Sequence, residues 1–214
     1  MFVSVTLTLL RGFLISCRLF ALTLLFSLPL GLLVAFGSMS RLRPVSWLTR
    51  AVIWVIRGTP LMLQVIIVYY GPGLLWNLKA LPREWAVLLA FVINYACYFG
   101  EIFRGGIQSI PQGQFEAAEV LGLTPRETFT HVAALQMLKR ILPTLTNEFN
   151  TLIKDTALAR TIAIKELTMA AQEYIAANAL LWPLFYSGVF YLVFGALISA
   201  LMTAAERKLS YFKV

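Results

Sequence analysis

Five long apolar runs constrain this chain more than any other feature. A backbone surrounded by hydrocarbon must satisfy its own hydrogen bonds, so each run has to form a helix or join a closed barrel. Continuous rather than alternating apolarity selects helices. The runs cover about Gly12 to Phe36, Ala51 to Tyr70, Trp85 to Phe103, Ile141 to Ile162 and Leu180 to Ala204. Each is close to the roughly 20 residues a helix needs to cross a bilayer. Composition agrees, since 59% of the 214 residues are hydrophobic and 13% are charged, against about 45–50% and 25% for a soluble domain. The expected fold is an all-α integral membrane protein with five transmembrane helices. It forms one domain over 1–214, because no repeat or low-complexity linker divides it. The fourth run is the least apolar, carrying Glu148, Lys154, Asp155 and Arg160.

The first run is too long for the apolar region of a secretory signal, about 7–15 residues, and it ends in a basic loop, so it reads as an uncleaved helix. Five spans put the two termini on opposite sides, and the distribution of cations decides which. Arg41, Arg43, Arg50, Arg104, Arg126, Lys139, Arg140, Arg207, Lys208 and Lys213 fall on one face. Arg11, Lys79, Arg83 and Lys165 fall on the other. The N-terminus is therefore expected outside and the C-terminus in the cytoplasm. These flanking cations account for the formal charge of +8 without nucleic acid as a partner. Cys17 and Cys97 lie in apolar stretches without C-x-x-C spacing and read as small fillers rather than disulfide or zinc partners.

Between the third and fourth runs lies a cytoplasmic loop over about 105–139. Pro111 suits the first turn of a short helix running to about Leu121, and Gly122 supplies a left-handed residue to close it. Thr124-Pro125-Arg126-Glu127 then reads as an N-cap, a proline at the first helical position, and a glutamate that bonds back to the cap. Two short helices joined at Gly122-Leu123 are expected. The loop either lies on the headgroups or presents Glu116, Ala117 and Ala118 to a docking partner.

Glu116-Ala117-Ala118, followed after three residues by Gly122, resembles the coupling-loop signature of ABC importer permeases. The signature's later Leu-Pro is Ala134-Leu135 here, so that proline is absent. The surrounding blocks narrow the resemblance to the polar amino acid permease family. They are Arg57-Gly58-Thr59-Pro60-Leu61 with Gln64, Glu101-Ile102-Phe103-Arg104-Gly105-Gly106-Ile107, Ile110-Pro111-Gln112-Gly113-Gln114, Leu142-Pro143 with Asn147-Glu148-Phe149, and Lys154-Asp155-Thr156 with Glu166-Leu167. In order and at family spacing, they cover about residues 50–175.

The resemblance implies a type I ABC importer permease of the bacterial inner membrane. Glu116, Ala117, Ala118 and Gly122 would couple it to separate ABC ATPase subunits. ATP and magnesium would bind those partners, with no cofactor in this chain. An extracytoplasmic substrate-binding protein and a second permease subunit, identical or related, would complete the assembly, because five helices are too few to shield a polar path from lipid. The residues agree with an engine held elsewhere. There is no G-x-x-x-x-G-K-[ST] phosphate cradle, and His131 is the single histidine, best read as a surface residue. A secondary transporter or channel using Glu101 and Asp155 as a relay is the main alternative, but such proteins carry repeats or more helices per chain. A membrane enzyme lacks a nucleophile and base pair.

Ionisable groups within spans are the default site candidates. Arg18 and Arg160 lie near span ends and snorkel. Lys154 and Asp155 point about 100° apart on a helix, and a zwitterionic amino acid needs both signs. Lys154 would meet the carboxylate and Asp155 the ammonium, with Glu101, Glu148 and the Thr59 hydroxyl as further partners. The competing account is internal pairing, Glu101 with Lys154 or Glu148 with Arg57. Asn94, seven residues before Glu101, shares its face as a pore-lining donor or as helix-to-helix glue. Proline at Thr59-Pro60 bends the second span, which serves either a midplane site or packing alone. Anionic groups favour arginine, lysine or histidine; glutamine or glutamate fits equally if those groups pair internally.

Overall fold

The computed structural model describes residues 2–209 and is built from helices. In order they are α1 (Phe2–Ser38), α2 (Arg43–Arg57), α3 (Leu61–Trp76), α4 (Arg83–Gln108), α5 (Gln112–Val120), α6 (Pro125–Glu127), α7 (Ala134–Asp155), α8 (Leu167–Asn178) and α9 (Trp182–Lys208). A π-helical turn, Thr128–Ala133, joins α6 to α7, and a 3₁₀ segment, Thr156–Ile162, extends α7. Lys213, counted above among the cytoplasmic cations, lies outside the described residues.

Among the described residues, three helices are long and apolar enough to cross a membrane: α1, α4 and α9. The pair α2 and α3 passes the same test jointly but is bent by 103°. The second run is thus a broken helix rather than a bowed one, because Gly58-Thr59-Pro60 combines a flexible residue with one that lacks an amide donor. The charges of α7 keep it outside that group by composition. The first run begins earlier than expected, since α1 continues without interruption through Arg11 to Phe2.

The loop over 105–139 is shorter than its sequence suggests. α4 continues to Gln108, and the helix starting at Pro125 runs on through the π turn into α7. The second loop helix is therefore the beginning of the fourth run and not a separate element, because no glycine or proline interrupts residues 126–142. α8 is not anticipated by the sequence reading.

α1 carries a stripe of small buried residues, Gly12, Ser16, Thr23, Ser27, Gly31, Ala35 and Ser38; Gly12 abuts Glu166 and Leu167 at the start of α8, and Gly31 abuts α4. Three- and four-residue spacing puts them on one helical face, and small side chains let two backbones approach in a bilayer, where lipid offers no hydrophobic drive between helices. At the closest crossing, a Cβ on Gly31 would lie 2.8 Å from Phe99 Cβ, and one on Gly100 would lie 2.6 Å from Val34 Cγ1. Phe20, Phe99, Phe149 and Phe194 fill the adjoining core with edge-to-face contacts. Large apolar side chains such as Leu14, Leu25, Leu33 and Leu192 point outward, as a lipid-facing surface requires.

α8 folds back along the first turns of α1. The Glu166 carboxylate caps it by accepting from the Thr168 and Met169 amides at 2.7 and 2.8 Å, and Tyr191 Oη donates a third bond at 3.3 Å. This buried carboxyl group is held by three donors, which is what permits its burial.

Candidate functional site

The break between α2 and α3 exposes carbonyl groups that a regular helix would have satisfied. Local side chains take them up. Thr59 Oγ1 donates to Val55 O at 2.9 Å, and Gln64 Nε2 donates to Ile56 O at 2.8 Å and to Thr59 Oγ1 at 2.9 Å. Asn94 Nδ2 on α4 donates in turn to Gln64 Oε1 at 3.0 Å. The corner is thereby fixed to the middle of α4.

Against this corner lies a cavity of about 320 Å³, lined by Thr59, Pro60 and Leu61 from the break, Asn94, Tyr95 and Tyr98 from α4, and Glu148, Thr151, Asp155 and Leu158 from α7 and its extension. Its volume is at the low end of the roughly 300–1,000 Å³ typical of small-molecule sites. Tyr95, only 1% exposed, donates its hydroxyl to Asp155 Oδ2 at 2.7 Å. Asp155 is thus oriented through one oxygen, and its second has no hydrogen-bond partner among the described residues. Among the described residues, two carboxylates and no cation line the space, so it suits a positively charged group.

Four of the six expected substrate residues come together here: Thr59, Asn94, Glu148 and Asp155. Lys154 does not, because one residue's rotation along α7 leaves it exposed and outside the lining. Glu101 does not either. Arg104 Nε and Nη2 grip its two oxygens at 2.9 and 2.8 Å, and Arg57 approaches to 3.7 Å. The alternative of internal pairing holds for Glu101, with Arg104 and Arg57 rather than Lys154 as its partners, and Arg57 also acts electrostatically on Glu148 without an ion-pair contact to it. Glu101 lines a separate, neighbouring cavity.

Tyr95, Tyr98 and Thr151 were not singled out from sequence. Tyr98 had a usable signal, since it lies four residues after Asn94 and three before Glu101, on the same helical face. Tyr95 had none, because its role comes from contact with a residue 60 positions away.

In the loop, α5 projects from the bundle. Glu116 and Ala117 are exposed, but Ala118 is 2% exposed and packs inward, so the outer face holds only the first two of that triplet. Val120 and Leu121, 88% and 76% exposed, form an apolar tip. Gly122 takes a left-handed φ of 71°, which a glycine adopts without strain. Thr124 and Glu127 form a reciprocal capping box, with Thr124 N donating to Glu127 Oε2 at 2.8 Å and Glu127 N donating to Thr124 Oγ1 at 3.3 Å. Hydrogen bonds from the Thr124 hydroxyl and amide hold the Glu127 carboxyl below the usual carboxylate range.

A family model described as the inner membrane component of binding-protein-dependent transport systems matches residues 27–211. The chain belongs to this family. As such an inner membrane component, it is 34% identical over 194 residues to the L-cystine transport system permease protein TcyB of Bacillus subtilis (strain 168), covering 89% of this chain and 82% of that relative. It is 33% identical over 201 residues to the arginine transport system permease protein ArtQ of the same organism, covering 94% and 91%. Among solved structures, a chain from a crystal structure of an amino acid ABC transporter with histidines superposes with a TM-score of 0.87 at 31% identity, covering 97% of this chain and 96% of that one. The binding-protein-dependent component here therefore shares both sequence and helical arrangement with ABC transport permeases.

Proposed function

We propose that this chain is the permease subunit of an ATP-driven importer for a cationic amino acid, and that the cavity between the α2–α3 break, α4 and α7 is where the amino acid is held. The observation that carries this reading is the pair Glu148 and Asp155 facing one cavity without a lining cation. Relatives named for arginine and L-cystine transport support an amino acid as substrate. The carboxylates favour arginine, lysine or histidine over acidic or neutral members.

Five spans follow if α7 with its 3₁₀ extension counts as the fourth, its carboxylates Glu148 and Asp155 being tolerated because they face a cavity, while Lys154 and Arg160 lie at its end, where long side chains snorkel. The N-terminus then lies outside, with α5 and the C-terminus in the cytoplasm. ATP is hydrolysed on separate subunits. Closure of those subunits pushes α5 through Glu116, Ala117 and the Val120-Leu121 tip, and rigid-body rocking opens the path to one side at a time. A second permease subunit closes the path against lipid, and an extracytoplasmic binding protein delivers the substrate.

Uptake into proteoliposomes containing the permease, its ATPase and its binding protein tests this. ATP-dependent accumulation of arginine, lysine or histidine, with little glutamate or glutamine, is expected. Accumulation that follows a proton gradient and ignores ATP would overturn it.

A further inference from the structure

One turn further along α4, a second cavity of about 580 Å³ adjoins the first and shares Tyr98 with it. Its lining has the opposite sign: Arg50, Arg57 and Arg104 face a single carboxylate, Glu101. Two of the three guanidinium groups are engaged. Arg104 grips Glu101 with two nitrogens, and Arg50 Nε donates to Ser38 O at 3.1 Å.

Arg57 is different. It comes within 3.7 Å of Glu101 as a charge contact, its guanidinium carbon lies 4.9 Å over the centroid of the Tyr98 ring, and it donates no hydrogen bond among the described residues. Its position in the last turn of α2 makes a cation favourable there. That accounts for the charge and leaves the fork of N–H donors unused. A planar, unused guanidinium resting on an aromatic ring is the group best suited to bind a carboxylate with two parallel hydrogen bonds. An amino acid carries such a carboxylate, and the first cavity offers it no positive partner. Lys154 does not supply one, being exposed and outside that lining.

We infer that Arg57 binds the α-carboxylate of the transported amino acid, with Tyr98 as the ring across which the ligand lies. The cationic end rests beside Glu148 and Asp155, and the carboxylate reaches into the arginine-lined cavity. This assignment rests on the cationic amino acid reading above. It makes the site selective for the whole amino acid over a simple amine.

The test is calorimetric titration of the purified permease–ATPase complex with L-arginine and with agmatine, which has the same guanidinium and no carboxylate. The wild-type complex is expected to bind arginine at least tenfold more tightly than agmatine, a ratio that needs no variant to fold. Arg57→Gln should bring the two within twofold while leaving agmatine nearly unchanged, and Arg57→Lys should restore part of the preference. Equal wild-type affinities, or a preference that survives Arg57→Gln, would overturn the assignment. If Glu148→Gln weakens both ligands while Arg57→Gln leaves the ratio alone, the cavity reading stands and the carboxylate assignment alone falls. If Glu148→Gln leaves both affinities untouched, the cavity reading fails and takes the assignment with it.

Discussion

Tyr95 and Asp155, 60 residues apart, are joined by a 2.7 Å hydrogen bond that ties the middle of α4 to the last residue of α7. The bond fixes one carboxylate oxygen and leaves the other facing the cavity. Asp155→Asn keeps an oxygen for Tyr95 but removes the charge. Uptake assays should show its KM for a cationic amino acid raised at least tenfold, with a nearly unchanged Tm. Tyr95→Phe keeps the charge and loses the anchor. A hydrogen bond to a charged group contributes about 1.5–3 kcal/mol, so kcat/KM should fall roughly tenfold or more.

Gln64 bridges the α2–α3 corner and α4. Gln64→Leu leaves Ile56 O and Asn94 without these partners in a buried place and should cost about 1–3 kcal/mol, read as a lowered Tm of the complex in detergent. Gln64→Glu accepts from Asn94 but cannot donate, and should fall between the two.

The legible part of the fold was the part governed by local chemistry. Apolar runs located α1, α4 and α9, and Thr124 with Pro125 and Glu127 specified a helix start that forms as expected. Positions set by distant contacts were not legible. The Glu101 carboxylate was weighed against Lys154, but Arg104 lies one turn away on the same helix and takes it. α8 was missed because Leu167, Ala170, Ala171 and Tyr174 form a short apolar face whose partner, the start of α1, is remote in sequence. Of the candidate cavity, Thr59, Asn94, Glu148 and Asp155 were identified as charged or polar groups within apolar runs. The fate of Lys154 depended on helical phase, which the sequence does not fix at a helix end.

The glycines at the α1–α4 crossing provide a packing test. Gly31→Ala puts a methyl group 2.8 Å from Phe99 Cβ and 3.2 Å from Ala96 O. Overpacking of this kind costs about 1–3 kcal/mol, so the folded yield and Tm should drop. Gly105→Ala meets nothing within 4 Å and, inside α4, should lower neither and raise Tm slightly.

The Thr124–Glu127 capping box gives a pH dependence. The Glu127 carboxyl titrates lower in the folded state than in the unfolded chain, so the box contributes fully above the ordinary carboxylate range and loses its contribution as pH falls through the folded value. Hydrogen-exchange protection at the Glu127 amide, corrected for intrinsic rates, should decline over that window. Thr124→Ala should remove the decline and cost about 1 kcal/mol.

Glu116 is exposed on α5, so reversing its charge should not disturb the fold. Glu116→Lys is expected to abolish co-purification of the ATPase and ATP-driven uptake while leaving Tm unchanged. Retained association and uptake would remove α5 as the point of coupling.

The most direct test of the central claim is the dissociation constant of arginine for the purified complex carrying both Glu148→Gln and Asp155→Asn. Losing two charge-assisted contacts of about 1.5–3 kcal/mol each predicts affinity at least 100-fold weaker than wild type, at matched thermal stability. An unchanged dissociation constant in a folded double variant would contradict the account.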